Sequence, residues 1–300
     1  MNNFLINFIE NGYAEYPNFF DKDKCKNLMN DALKSRRIDK LFLSEEEFKK
    51  ERKFKGVNPI AGRNFLEKVN TDFIFLSETF QHEMTRVCGN NYRILNAKFV
   101  MGIPHKFIPK WLEQELKDSL VSNLGPYVRE EYRDITYFRG IDFHQDIIDY
   151  PERNSDFITA YIYLDKVDSN SAPLYLLDKS HLLGSSIFPH QLKAINDQQY
   201  KYINDFGDEI VCDVKKLINE GGSLYYWHCN MLHGTQPQIS DEARISVRIL
   251  VEKNPENKEI SLIDLANEKS KGHLSLLKTR TDLDEQGKGM VKGNIINKRE

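Results

Sequence analysis

The chain has 300 residues, 40% hydrophobic and 11% aromatic, enough to bury one large core or at most two, and a formal net charge of −3. Both signs are mixed along it without a basic stripe, so neither nucleic acid nor a membrane surface is an expected partner. Four scattered cysteines (Cys25, Cys88, Cys212, Cys229) form no C-x-x-C pair, and no apolar leader or membrane-length stretch is visible; the expectation is a cytoplasmic protein with reduced thiols.

In chain order, Asp21 is placed to cap a helix whose buried stripe is Cys25, Leu28, Met29, Ala32 and Leu33. Ser44-x-x-Glu47 is a capping box that heads a second, more polar helix. A third is predicted from Thr71 or Asp72 to Cys88, stopping at Gly89, with Phe73, Leu76, Phe80, Met84 and Val87 on its buried side. Its His82-Glu83 is no zinc-protease motif, because Arg86 stands where the second histidine belongs. Short runs rich in Ile, Val, Tyr and Phe then predict strands at about 91–101, 135–146, 157–164, 172–178, 209–214, 222–228 and 243–252.

Helices first and strands afterwards read as an α+β fold, a single domain over 1–252 with helices (1–90) packed outside an antiparallel double-sheet barrel (91–252). An insert at about 104–140, carrying Trp111, Arg129, Arg133 and Arg139, reads either as a lid whose arginines meet an anionic substrate or as a solvated helix with Glu113, Glu115 and Asp118. Residues 253–300 form a polar C-terminal extension, with one helix capped by Ser261 and a mobile tail from Gly287.

The chemistry concentrates in His144-Gln145-Asp146, followed far downstream by His233 and then Arg244. Residues two apart in a strand share a face, so His144 and Asp146 can offer an imidazole and a carboxylate to one point. Eight histidines and 45 acids make about one His-x-acid triplet expected by chance, and a hydrogen-bonded strand pair is the plain alternative. His233 competes for the third corner with His228, which suits an apolar core strand. Two histidines and one carboxylate leave the opposite face of a metal open, as Fe(II) needs to take a co-substrate and O2 together. Arg244, Ser246 and Arg248 share one parity, presenting guanidinium, hydroxyl and guanidinium, a set that can grip a carboxylate; pairing with Asp241 or Glu242 is the alternative.

The motifs occur in a fixed order: His144-x-Asp146, Ser180-His-x-x-Gly184, His233-Gly-Thr235, then Arg244-x-Ser246. With the opening Phe8-Ile-Glu-Asn-Gly12-Tyr13, this chain resembles the phytanoyl-CoA dioxygenase-like family of Fe(II)/2-oxoglutarate oxygenases over roughly residues 5–252, with extra sequence at about 103–135. The resemblance implies a double-stranded β-helix, or jelly roll, with Fe(II) on His144, Asp146 and His233. It implies 2-oxoglutarate on Arg244, supported by Ser246, Thr235 and Lys98. Arg139, Tyr150 and Arg248 are the candidates for contact with a small-molecule substrate. The expected reaction is hydroxylation of a C–H bond with release of succinate and CO2, since the related halogenases lack the ligand carboxylate that Asp146 supplies. A metal-free jelly-roll binding protein and a zinc hydrolase remain open from the residues alone.

Overall fold

The computed structural model describes residues 3–117, 119, 121–236, 238 and 240–290. Its strands are β1 (Tyr13–Tyr16), β2 (Arg93–Gly102), β3 (Val121–Asn123), β4 (Thr136–His144), β5 (Phe157–Tyr163), β6 (Leu174–Leu177), β7 (Gln191–Asn196), β8 (Gln199–Ile203), β9 (Glu209–Lys216), β10 (Leu224–His228), β11 (His233–Thr235) and β12 (Arg244–Glu252). They hydrogen-bond in the order β1-β10-β5-β12-β2-β4-β11-β6-β9-β8-β7, with β3 beside β4. All pairs are antiparallel except β2 with β4, where the chain passes from the first face of the barrel to the second. The architecture is the expected jelly roll with helices outside.

Alternation explains why the first face is buried on both sides. In β12, Ile245, Val247, Ile249 and Val251 point outward into one large core with Ile158, Ala160 and Ile162 of β5 and Leu224 and Tyr226 of β10. That core is roofed by helices: α1 (Asn3–Asn11), α2 (Lys22–Lys34), α3 (Glu45–Glu51), α4 (Asp72–Phe75) and α5 (Glu78–Cys88). The opposite parity, Arg244, Ser246 and Arg248 with Tyr161 and Trp227, turns into the barrel, where the polar chemistry collects.

The caps are formed as expected: the Asp21 side chain accepts from Lys24 N at 2.9 Å, and Ser44 and Glu47 complete both bonds of their box. The third helix departs from expectation. It is broken into α4 and α5 because Ser77 starts a new helix by accepting from Phe80 N, which turns Leu76 outward and buries Ile74 instead. Glu83 of the His-Glu pair accepts from Tyr16 and pairs with Arg86, a structural role. The four cysteines are free and buried. No described helix is long and apolar enough to cross a membrane.

The insert is part of the core. α6 (Lys110–Leu116) buries Leu112 and Leu116, and Trp111 stacks on Phe48 of α3 at 5.3 Å. Arg129 and Arg133 are committed to Glu47 and Glu51 of α3, each at 2.9 Å, and neither lines the cavity beside His144. The C-terminal extension also docks: α7 (Leu262–Lys269) packs against α1 and α5, and the chain then runs back across the barrel as far as residue 290. The tail expected to be mobile begins within this docked segment, and its residues 291–300 lie outside the described ones.

Gly222 joins the face strands to α2. Its φ of +83° is left-handed, and an added Cβ would strike the carbonyl oxygen of Phe20, which is backbone and cannot swing aside. Gly222→Ala is expected to cost roughly 1–3 kcal/mol in urea denaturation; a change below about 0.5 kcal/mol would contradict this packing.

Candidate active site

His144 and His233 stand directly opposite each other in the β4/β11 ladder, their ring centroids 4.3 Å apart. Each Nδ1 lies against a backbone carbonyl, Asp142 O at 2.9 Å and Met231 O at 3.0 Å. A carbonyl only accepts, so each Nδ1 carries the proton and each Nε2 presents a lone pair. Burial, with the neighbouring imidazole added for His144, pushes both pKa values down and keeps the rings neutral. With the Asp146 carboxylate, these histidines offer three ligand atoms within 4.8 Å of one another.

The route by which Asp146 gets there differs from strand alternation. β4 ends at His144, and Asp146 opens a short 3-10 turn (Asp146–Asp149). Gln145 holds this corner: its amide donates to Gly184 O and Asn230 O, both at 2.8 Å, its side-chain oxygen accepts from Ser186 N, and its own N–H donates to His190 Nε2. Asp146 thereby crosses to the first face of the barrel. Thr159 of β5 and Trp227 of β10 donate to Oδ2 at 2.5 and 3.1 Å, and Arg248 of β12 pairs with Oδ1. Burial raises the Asp146 pKa, but the Arg248 guanidinium, helped by the Thr159 hydrogen bond, outweighs it and holds the carboxyl well below the usual carboxylate range.

A cavity of about 420 Å³ opens beside the three ligands. At one end lies Arg244, 5% exposed, whose Nη1 donates to Ala172 O and whose Nη2 is 3.5 Å from the Tyr161 hydroxyl. Among the described residues, its Nε and the Ser246 Oγ have no partner and no carboxylate forms an ion pair with this guanidinium. Gly102 stands opposite Arg244 in the β2/β12 ladder, where an added Cβ would crowd Gln238 Oε1 at 3.1 Å and make only ordinary contact with Arg244. Thr235 lines the cavity and donates its hydroxyl to Ala172 O at 2.9 Å. Lys98 lines it too, opposite Arg248, and burial together with Arg248 brings its pKa down to about 7.

The candidates for substrate contact separate. Tyr150 lines the cavity, packed on Phe157 at 5.2 Å. Arg248 also reaches it but is committed to Asp146, so its first role is to balance a ligand's charge. Arg139 does not line the cavity: an irregularity between Phe138 and Ile141, both of which do line it, turns Arg139 away, and its guanidinium feels Glu113 of α6 instead. His228 is a satisfied core histidine between Asn267 and Asn230 N. Sequence reasoning missed Thr159 and Trp227, whose inward parity in two apolar strands was the available signal. It also missed Asn58, Asn123, Asp149 and Arg280, which line the mouth from loops, the end of β3 and the Asp146–Asp149 turn and carry no periodic signal.

A jelly roll with this His-Asp-His cluster beside a buried arginine defines an enzyme of the Fe/2-oxoglutarate-dependent oxygenase superfamily. The family model described as phytanoyl-CoA dioxygenase (PhyH) matches residues 8–246, and the chain belongs to that family. Among solved structures it is similar in fold to the non-heme monooxygenase ThoJ in its apo form, at 12% identity and a TM-score of 0.52, covering 84% of this chain and 77% of that one. It is also similar to the epimerase SnoN in complex with Fe3+, α-ketoglutarate and nogalamycin RO, at 12% identity and a TM-score of 0.50, covering 83% and 82%. No curated protein sequence matches.

Arg248 and a bound metal would share one carboxylate, which makes a stability prediction. Arg248→Met should destabilise the metal-free protein by about 3 kcal/mol, the low end for breaking a buried pair because Thr159 and Trp227 still donate. Added Ni(II) should then raise Tm more in the variant than in the wild type, since it meets an uncompensated charge. Equal metal-induced shifts would contradict this arrangement.

Proposed function

We propose that this chain is an Fe(II)- and 2-oxoglutarate-dependent dioxygenase that hydroxylates a C–H bond of a small-molecule substrate. The observation that carries the reading is Arg244: a buried guanidinium with open donor capacity and no carboxylate partner among the described residues, lining the same cavity as the three candidate ligands. A zinc hydrolase has no use for it, and a ligand-binding jelly roll has no use for the cluster.

His144 and His233 would hold the metal through Nε2 in tautomers fixed by Asp142 O and Met231 O, and Asp146 would supply the anionic ligand. Fe(II), 2-oxoglutarate and O2 supply, when bound, the oxidative decarboxylation to succinate and CO2 that places one oxygen atom of O2 on a substrate carbon. Arg244 would take the far carboxylate of the co-substrate, with the Ser246 and Thr235 hydroxyls beside it and Lys98 as a further cation in the cavity. Ile141, Ile148, Leu174 and Trp227 give the cavity apolar walls that exclude water and position the substrate carbon. The presence of Asp146 favours hydroxylation over halogenation.

Anaerobic titration with Fe(II) and then 2-oxoglutarate tests this. A visible charge-transfer band is expected in the wild type and its loss in His144→Ala. Arg244→Met should keep the metal but weaken 2-oxoglutarate binding roughly 10- to 100-fold, the value of one or two charge-assisted hydrogen bonds. Wild-type protein that binds Fe(II) without developing the band, or an Arg244 variant with unchanged affinity, would overturn the reading.

A further inference from the structure

We infer that Arg280, delivered by the C-terminal segment, recognises an anionic group of the substrate at the mouth of the metal cavity. This deepens the proposed function and rests on that cavity being the reaction site. Arg280 lies in the C-terminal extension, beyond the matched span of residues 8–246.

The segment that carries it is pinned on both sides of the metal turn. Thr279 donates its hydroxyl to Ile148 O at 2.7 Å, while Phe188 N donates to Thr279 O and Thr281 N to Phe188 O. Asp282, buried, takes the Arg280 Nε and Nη2 as a fork at 2.9 and 2.7 Å and sets the plane of the guanidinium. The third bond goes from Nη1 to Asp149 at 2.8 Å, a carboxylate whose side chain is 61% exposed and free to turn into solvent. Of five N–H groups, three are engaged by these bonds, so Arg280 keeps donors for a ligand.

Charge points the same way. Lys98, Arg244, Arg248 and Arg280 line the cavity against Asp146 and Asp149, and Asp282 behind Arg280 offsets one further charge, so the cations still outnumber the carboxylates. Bound Fe(II) and the 2-oxoglutarate dianion cancel each other formally, so the positive excess of the walls is left for the substrate. Space agrees as well: Asn58, Asn123 and Arg280 also line an adjoining cavity of about 670 Å³. A substrate reaching past the metal therefore meets Arg280 at the junction of the two.

Calorimetric titration of hexyl phosphate, hexanoate and hexanol tests the inference, on metal-free protein and again with Ni(II) and 2-oxoglutarate present to occupy Arg244. At least one anion should bind wild-type protein tenfold or more tightly than hexanol. Arg280→Gln should weaken that anion at least about tenfold and leave hexanol unchanged. Asp149→Asn, which removes the competing exposed carboxylate and keeps the fold, should tighten it several-fold. No anion preference in the wild type, or equal anion affinity in wild type and Arg280→Gln, would overturn the inference. The 2-oxoglutarate affinity measured in parallel reports separately on the reaction-site reading: its absence with the Arg280 effect intact defeats only that reading.

Discussion

A carboxylate buried between two faces of a barrel is stable only while donors surround it, and Asp146 draws its donors from the face opposite the one that delivers it. Arg248 on β12, Thr159 on β5 and Trp227 on β10 converge on it from three adjacent strands. An unpaired ionised carboxylate at this depth would cost several kcal/mol or take up a proton. Because Arg248 keeps it charged, the group is available as a ligand without prior deprotonation.

The positions of the two histidines follow from pairing, and their chemistry from a carbonyl behind each ring. The corner between His144 and Asp146 follows from Gln145, whose side chain is spent on the backbone of residues 184, 186 and 230. Substrate-facing polarity is therefore separated from the polarity that builds the site. Inward residues of β12 face the cavity, while Gln145, Ser186, His190 and Tyr202 form a buried network behind it.

Much of this was legible in the sequence where a local rule governs. The caps at Asp21 and Ser44 follow from side-chain hydrogen bonding, and seven strands follow from β-rich runs. The parity of Arg244, Ser246 and Arg248 follows from the two-residue repeat. Where tertiary contacts decide, the reading went astray or was silent. Asp146 was placed on a strand because the Gln145 anchors come from distant segments. Leu76 was placed inside because the helical period runs through Ser77 without registering its cap. The short strands β1, β3, β7, β8 and β11 were missed because runs of three to six residues are too brief to stand out from loops. The insert was left between a lid and a solvated helix, because the partners of its arginines, Glu47 and Glu51, lie in a capped helix elsewhere in the sequence. Arg280 could not be found at all, since nothing local marks a residue whose role is set by Asp149 and Asp282.

Anomalous diffraction from crystals grown with Mn(II) and 2-oxoglutarate is the most direct measurement of the central claim. The account predicts one strong peak bonded to His144 Nε2, His233 Nε2 and an Asp146 oxygen, with the dicarboxylate chelating it and its far end on Arg244. A peak away from these three side chains, or a dicarboxylate held without Arg244, would contradict it.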